Sequence, residues 1–105
     1  MARMSVKQNI DARTLGRRFA EIVTEQDLPI HGIWTRDSHE YPEIWVVTNP
    51  LELEQMRPVY EARVTLRRLF PSADYVFSTV NPSWFTSFSV EDHVPADARR
   101  IELRE

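Results

Sequence analysis

Residues 43–50 read Glu-Ile-Trp-Val-Val-Thr-Asn-Pro. Residues 44–47 are all β-branched or aromatic, which is typical of a β-strand. Because the apolar run is nearly continuous, we expect a central strand that is partly covered on both faces. Asn49 and Pro50 follow as a helix-start signal, with an asparagine cap and a proline in the first helical position.

The chain before this strand predicts a hairpin partner and a helix. Residues 30–35 predict a strand, and the short link to residue 43 favours an antiparallel hairpin. Further upstream, Asp11 can cap a helix, and Pro29 marks its end. The apolar residues of this helix have the spacing of one buried stripe: Leu15, Phe19, Ile22 and Val23.

The chain after residue 50 predicts a second helix and two more strands. Pro58 is unfavourable inside a helix, so we expect a short helix or turn first and the main helix from Arg57 to Phe70. Its inward residues are predicted to be Val59, Ala62, Leu66, Leu69 and Phe70, with Tyr60 and Val64 widening the stripe. Residues 74–80 predict a strand parallel to residues 43–48, and residues 100–104 an edge strand.

These elements predict an α+β fold with two helices packed on a mixed four-stranded sheet, in the order α-β-β-α-β-β. With 105 residues, the chain fits one domain. We expect a flexible N-terminal arm over residues 1–8 and a single domain over residues 9–105.

The composition excludes several classes of protein. The chain is 42% hydrophobic and 28% charged, which argues against wholesale disorder. Cysteine is absent, and this excludes disulfide frameworks and thiolate sites. No apolar signal core or membrane-length run is present, so we expect a cytoplasmic protein that does not contact a membrane. Gly16 and Gly32 are the only glycines, so no glycine-rich phosphate loop exists and no cofactor is expected.

Charges are segregated along the chain. The net charge of −3 argues against a dedicated nucleic-acid binder. Residues 21–54 nevertheless hold eight acids and one arginine, whereas residues 1–20 and 57–68 are basic. Within the basic segments, two i, i+4 pairs each share one helix face: Arg13 with Arg17, and Arg63 with Arg67. These rows could be solvated faces, could pair with acids of the same or another copy, or could bind RNA or an anion.

The acidic loop, residues 36–43, contains weak candidates for catalysis: Asp37, His39, Glu40 and Glu43. Carboxylates with a histidine can bind a divalent metal or transfer protons, but a metal site needs three or four converging ligands. The sequence does not bring further ligands to the loop, and hairpin loops are polar because water covers them. We therefore predict no metal.

The order helix, strand, strand, helix, strand resembles the core of the minimal nucleotidyltransferases of bacterial toxin–antitoxin pairs. That family has a Gly-Ser turn after its first strand and Asp-x-Asp at its second, which hold metal and nucleotide phosphates. The matching stretches here read Trp34-Thr35-Arg36 and Glu43-Ile44-Trp45, and neither motif is present. The resemblance covers residues 11–80 in order of elements alone, and it implies a catalytically inactive relative.

An aromatic segment follows Asn81-Pro82, a second copy of the Asn-Pro strand exit. Trp84, Phe85 and Phe88 could cap one end of the sheet or anchor a partner or dimer interface. We expect a non-enzymatic interaction or accessory module of a bacterial-type cytoplasm that self-associates or binds a protein partner. The alternatives are a degenerate nucleotidyltransferase-like or metal-dependent enzyme using the acidic loop, and an RNA- or anion-binding domain using the arginine faces.

Overall fold

The computed structural model describes residues 10–38 and 40–103. Its helices and strands are α1 (Ala12–Glu25), β1 (Ile30–Asp37), β2 (Pro42–Thr48), α2 (Arg57–Leu69), β3 (Val76–Val80) and β4 (Arg99–Ile101). Short 3-10 helices cover Leu53–Met56, Pro82–Trp84 and Val90–Asp92. This order confirms the predicted α+β class. The arm predicted over residues 1–8 lies outside the described residues, and neither described α-helix could span a membrane.

The four strands form one mixed sheet in the order β3-β2-β1-β4. β1 is antiparallel to both β2 and β4, as the short hairpin link predicts for the first pair. β3 is parallel to β2, because the crossover between them passes through α2. β3 and β4 are therefore the two edges of the sheet.

The main core lies between the two helices and one face of the sheet. Phe19 of α1, Ile33 of β1, Ile44 of β2 and Leu66 of α2 are completely buried there. Phe19 also meets Phe77 of β3 edge to face, with ring centroids 5.1 Å apart, a favoured aromatic geometry. Burial of these side chains supplies most of the driving force for folding.

The other face of the sheet is covered by the irregular chain between β3 and β4. Val47, Val80 and Val94 form a second buried cluster on this face, and Phe88 and Val90 pack against it. The segment after Asn81-Pro82 therefore folds back over the sheet. This cover explains why β2 is apolar on both faces.

The predicted inward face of α2 is too wide. Val59, Ala62 and Leu66 are fully buried, but Tyr60 is 39% exposed and Val64 47%, and Leu69 is exposed as well. The prediction that these three side chains face the core is wrong, because the core takes only the narrow stripe at the i, i+3, i+7 positions. α2 thus presents apolar side chains to solvent.

A buried asparagine ties the exits of the two parallel strands together. The Asn81 side chain accepts hydrogen bonds from the backbone N–H of Leu51 at 3.2 Å and of Ser83 at 2.9 Å. Its amide donates to the Leu51 carbonyl at 2.8 Å. Asn49, the equivalent residue at the β2 exit, is exposed. The two Asn-Pro pairs are therefore alike in sequence but not in role.

Asn81→Ala is expected to lower the free energy of unfolding by about 2–4 kcal/mol, because it leaves the N–H and C=O of buried Leu51 without partners. Urea denaturation followed by circular dichroism measures the loss. Asn49→Ala is the matched control and should change stability little. Equal losses in the two variants would show that the Asn81 hydrogen bonds contribute nothing specific.

Candidate functional site

Two tryptophans and two arginines form a layer on the sheet face that the helices leave open. Trp34 and Trp45 are direct cross-strand partners on β1 and β2. The Arg100 guanidinium lies 5.1 Å from the Trp34 ring centre and donates to the His31 carbonyl at 2.9 Å. Gly32 permits this stack, because a Cβ there would lie 2.6 Å from the Trp34 ring. Trp34 and Trp45 thus pack on the sheet, where they are partly buried against the second cluster.

Arg36 organises the acidic loop. Its guanidinium binds Glu43 through two nitrogens, each 2.8 Å from the carboxylate, and Asp97 at 3.1 Å. Hydrogen bonding to Asp97, and then to Glu43, raises the pKa of Arg36 above its ordinary value. The same guanidinium lies 5.5 Å from the Trp45 ring centre. Glu43 is therefore engaged in an ion pair with a neighbouring strand.

The other candidates in the acidic loop do not converge on a site. Asp37 accepts a hydrogen bond from the Ala12 N–H at 2.9 Å, and so satisfies an amide at the start of α1. Glu40 is exposed, and His39 lies outside the described residues. Among residues 10–38 and 40–103, no group of three or more metal-binding side chains is placed to hold an ion.

Trp84 and the acidic loop lie at opposite ends of the sheet. The loop precedes β2 and Trp84 follows β3, and these two strands are parallel. Trp84 is 51% exposed. Phe85 and Phe88 instead pack on His93, with ring centroids 4.4 Å and 5.1 Å away. The segment therefore caps the open face while leaving Trp84 accessible.

The Arg63–Arg67 row lies along the β3 edge. Arg63 sits over Phe77 at 4.9 Å and Arg67 over Tyr75 at 4.2 Å. Arg67 also donates to the Ala73 carbonyl at 2.7 Å. Burial raises the pKa of Tyr75, against the opposing effect of the two arginines. These contacts offset the repulsion expected of like charges one helical turn apart.

The Arg13–Arg17 row lies at the other edge of the sheet, where α1 passes close to β4. Gly16 makes this approach possible, since a Cβ would lie 2.5 Å from Thr35 and 2.9 Å from Ile101. Arg13 and Arg17 line an open groove of about 550 Å³ together with Arg100 of β4. The two arginine rows thus flank opposite edges and do not form one surface.

Exposed apolar side chains collect at the β3 edge, and the sequence predicts none of them there. Val76 of β3 is 44% exposed. Val64 of α2 lines a depression of about 230 Å³ with Tyr75 and Phe77. The one signal of this exposure in the sequence is that Val64 lies outside the i, i+3, i+7 stripe of α2. We missed it because we expected a wider core face that included Val64.

The chain was compared with protein-family models, curated proteins and solved structures, and none of them matches it.

Gly16→Ala is expected to destabilise the protein by about 1–3 kcal/mol through overpacking, although alanine is the better helix former by about 1 kcal/mol. The reason is the contact of the added methyl group with Thr35 and Ile101. Thermal unfolding measures the effect, and Gly16→Ser should cost more. A stabilised Gly16→Ala variant would show that α1 does not approach β4 this closely.

Asp11→Ala is expected to cost about 1 kcal/mol at neutral pH through loss of the helix cap. Hydrogen bonding from the side chain and backbone of Thr14 lowers the pKa of Asp11. Its contribution is therefore complete above the unfolded pKa of about 4 and is lost as the pH falls through the lower folded value. Urea titrations across this range test the trend. Asp11→Asn should keep most of the cap, and a pH-independent gap between wild type and Asp11→Ala would contradict the account.

Proposed function

We propose that the protein is a self-associating interaction module that forms a two-fold dimer by antiparallel pairing of β3 with its copy. The supporting observation is an unprotected edge strand bordered by exposed apolar side chains. We propose that this module is not an enzyme. We place it in a bacterial-type cytoplasm, a reducing compartment with which a cysteine-free chain is compatible.

The two edges of the sheet differ in how they are protected. Edge strands avoid unwanted pairing by being short or by carrying charge. β4 has three residues, two of them arginines. β3 has five residues, Val-Phe-Ser-Thr-Val, with neither charge nor proline. Within the described part of the chain, no strand pairs with its outer side, so the backbone groups there are available to a second strand.

Antiparallel pairing of β3 with itself matches like faces. In such a pair, opposite residues share a face of the sheet. An axis at Ser78 sets Val76 opposite Val80 of the partner subunit, so that exposed Val76 gains an apolar neighbour.

Strand pairing alone is too small to hold a specific dimer. Five residues span roughly 17 Å, whereas specific interfaces bury about 800 Å² on each partner. α2 borders the same edge through Val64. Val64 lies one helical turn from Tyr60, and both side chains are exposed to solvent. An axis through β3 brings the two copies of α2 side by side, so Tyr60 and Val64 enlarge the contact.

Arginines limit the strength of this association. Arg63 and Arg67 lie on rings beside β3, and pairing brings the rows of both copies close together. Salt screens the resulting repulsion. The proposed dimer is therefore expected to tighten as the salt concentration rises, which is the opposite of an interface held by surface ion pairs.

Sedimentation velocity of wild type, Val64→Lys and Val76→Lys tests the dimer. Each substitution replaces an exposed apolar side chain with a charge, so the monomer fold should persist by circular dichroism. We expect each to raise the dimer dissociation constant about tenfold or more, because a central interface residue is worth roughly 1.4 kcal/mol or more.

Trp84→Lys is the matched control, since Trp84 is equally exposed but follows the β3 exit. Its dimer affinity should equal that of wild type. Dissociation by Trp84→Lys but not by the other two would assign the interface to the Trp84 segment and refute pairing at β3. A wild-type monomer at high micromolar concentration, in low and in high salt, would refute self-association altogether.

A further inference from the structure

A long groove separates α1 from the β4 edge. It consists of two adjoining cavities of about 770 Å³ and 550 Å³. Both are lined by Arg13, Arg100 and Ile101, so they lie side by side. Arg17 lies at one end and Arg99 at the other. We call it the arginine groove. It lies at the edge of the sheet farthest from β3.

The arginines of this groove divide into paired and unpaired side chains. Arg36 is neutralised by Glu43 and Asp97, and Arg100 is held by the His31 carbonyl and the Trp34 ring. Within the described residues, Arg13, Arg17 and Arg99 form no ion pair or side-chain hydrogen bond. Three guanidinium groups in the groove are therefore free to bind a ligand.

Five acids line the two cavities beside the arginines, and Asp11 attracts Arg13. None of these acids forms an ion pair with Arg13, Arg17 or Arg99 within the described residues. Asp11 and Asp37 each accept a hydrogen bond from a backbone N–H in the first turn of α1. Glu21 is paired with Arg18 and Asp97 with Arg36, which leaves Glu102 among the acids of the described lining. The N–H groups of Ala12, Thr14 and Leu15 at the start of α1 already have acceptors, so we assign ligand binding to side chains and not to the helix terminus.

We propose that the arginine groove binds phosphate groups through Arg13, Arg17 and Arg99. Like charges one turn apart on a helix repel unless an anion neutralises them. Guanidinium groups bind phosphate through two parallel hydrogen bonds. Arg13 and Arg17 are about 6 Å apart along the helix axis, so the row suits a ligand with several phosphates better than one isolated ion.

The groove has the chemistry for phosphates but not for bases. Binding of single-stranded nucleic acid by its bases requires exposed rings for stacking. Among residues 10–38 and 40–103, no aromatic side chain lines either cavity, and the Trp34 ring lies under Arg100. The source of the phosphates is therefore either a nucleic-acid backbone, bound without regard to sequence, or a free oligophosphate.

Binding of two probes tests the proposal. Fluorescence anisotropy follows labelled single-stranded RNA of about 12 uridines or 12 adenosines, a length that matches common site sizes. Calorimetry follows inorganic tripolyphosphate. For whichever probe binds, Arg13→Gln with Arg17→Gln should weaken affinity about tenfold or more, since two charge-assisted contacts are lost. For RNA, the logarithmic salt slope should fall by about 0.7 for each lost contact.

Arg57→Gln with Arg68→Gln is the control, because it removes the same charge from α2, outside the groove. It should keep wild-type affinity within about twofold, and thermal melting checks that both variants fold. RNA binding that is equal for the two sequences assigns a backbone ligand, whereas tripolyphosphate binding alone assigns a small-molecule ligand.

Three results would overturn the proposal. The first is that wild-type protein binds neither probe at high micromolar concentration. The second is an equal loss of affinity in the two double variants, which would show attraction to net charge alone. The third is competition by a glutamate peptide of equal charge as strong as that by tripolyphosphate, which would show that the groove does not distinguish phosphate from carboxylate. Arg13 and Arg17 lie away from β3, so a loss of affinity in the groove variant does not bear on the dimer. The control pair lies on α2 beside Val64, so its oligomeric state is checked by sedimentation velocity.

Discussion

Three hydrogen bonds from the buried carboxamide of Asn81 hold the exits of β2 and β3 together. β3 depends on them because it has one neighbour in the sheet and is reached by a long crossover. The same side chain binds the Ser83 N–H and so directs the following segment back over the open face. Burial of Val47 and Val80 beneath that segment follows from this junction.

The two edges of the sheet then divide the surface by chemistry. At β3, the arginines Arg63 and Arg67 lie on aromatic rings, and apolar side chains remain exposed between them and the strand. At β4, the strand itself carries arginine, and Arg13 and Arg17 of α1 face a groove beside it. The first edge suits a second copy of the chain. The second suits an anion, and one protein could use both at once.

Local sequence signals were sufficient to predict the architecture. The sites were harder to predict, because they depend on contacts between residues that are far apart in the chain. β-branched runs, the Asp11 cap and the crossover rule were sufficient for the elements and the parallel β2–β3 pair. Periodicity located the inward stripe of α2 but not its width, so the exposure of Val64 was missed. The role of Asp37 as a partner of the Ala12 amide was hidden because the two residues are 25 positions apart. Arg99 joins Arg13 only through the pairing of β4 with β1, which no local pattern specifies.

Hydrogen–deuterium exchange of the β3 amides at low and high micromolar protein concentration tests the central claim most directly. In an edge strand, the outward N–H groups exchange freely until a second strand binds them. The account predicts that the β3 amides on the free side become protected as the concentration rises, while exchange in β4 stays the same. Exchange in β3 that does not depend on concentration, or protection that appears in β4 instead, would contradict it.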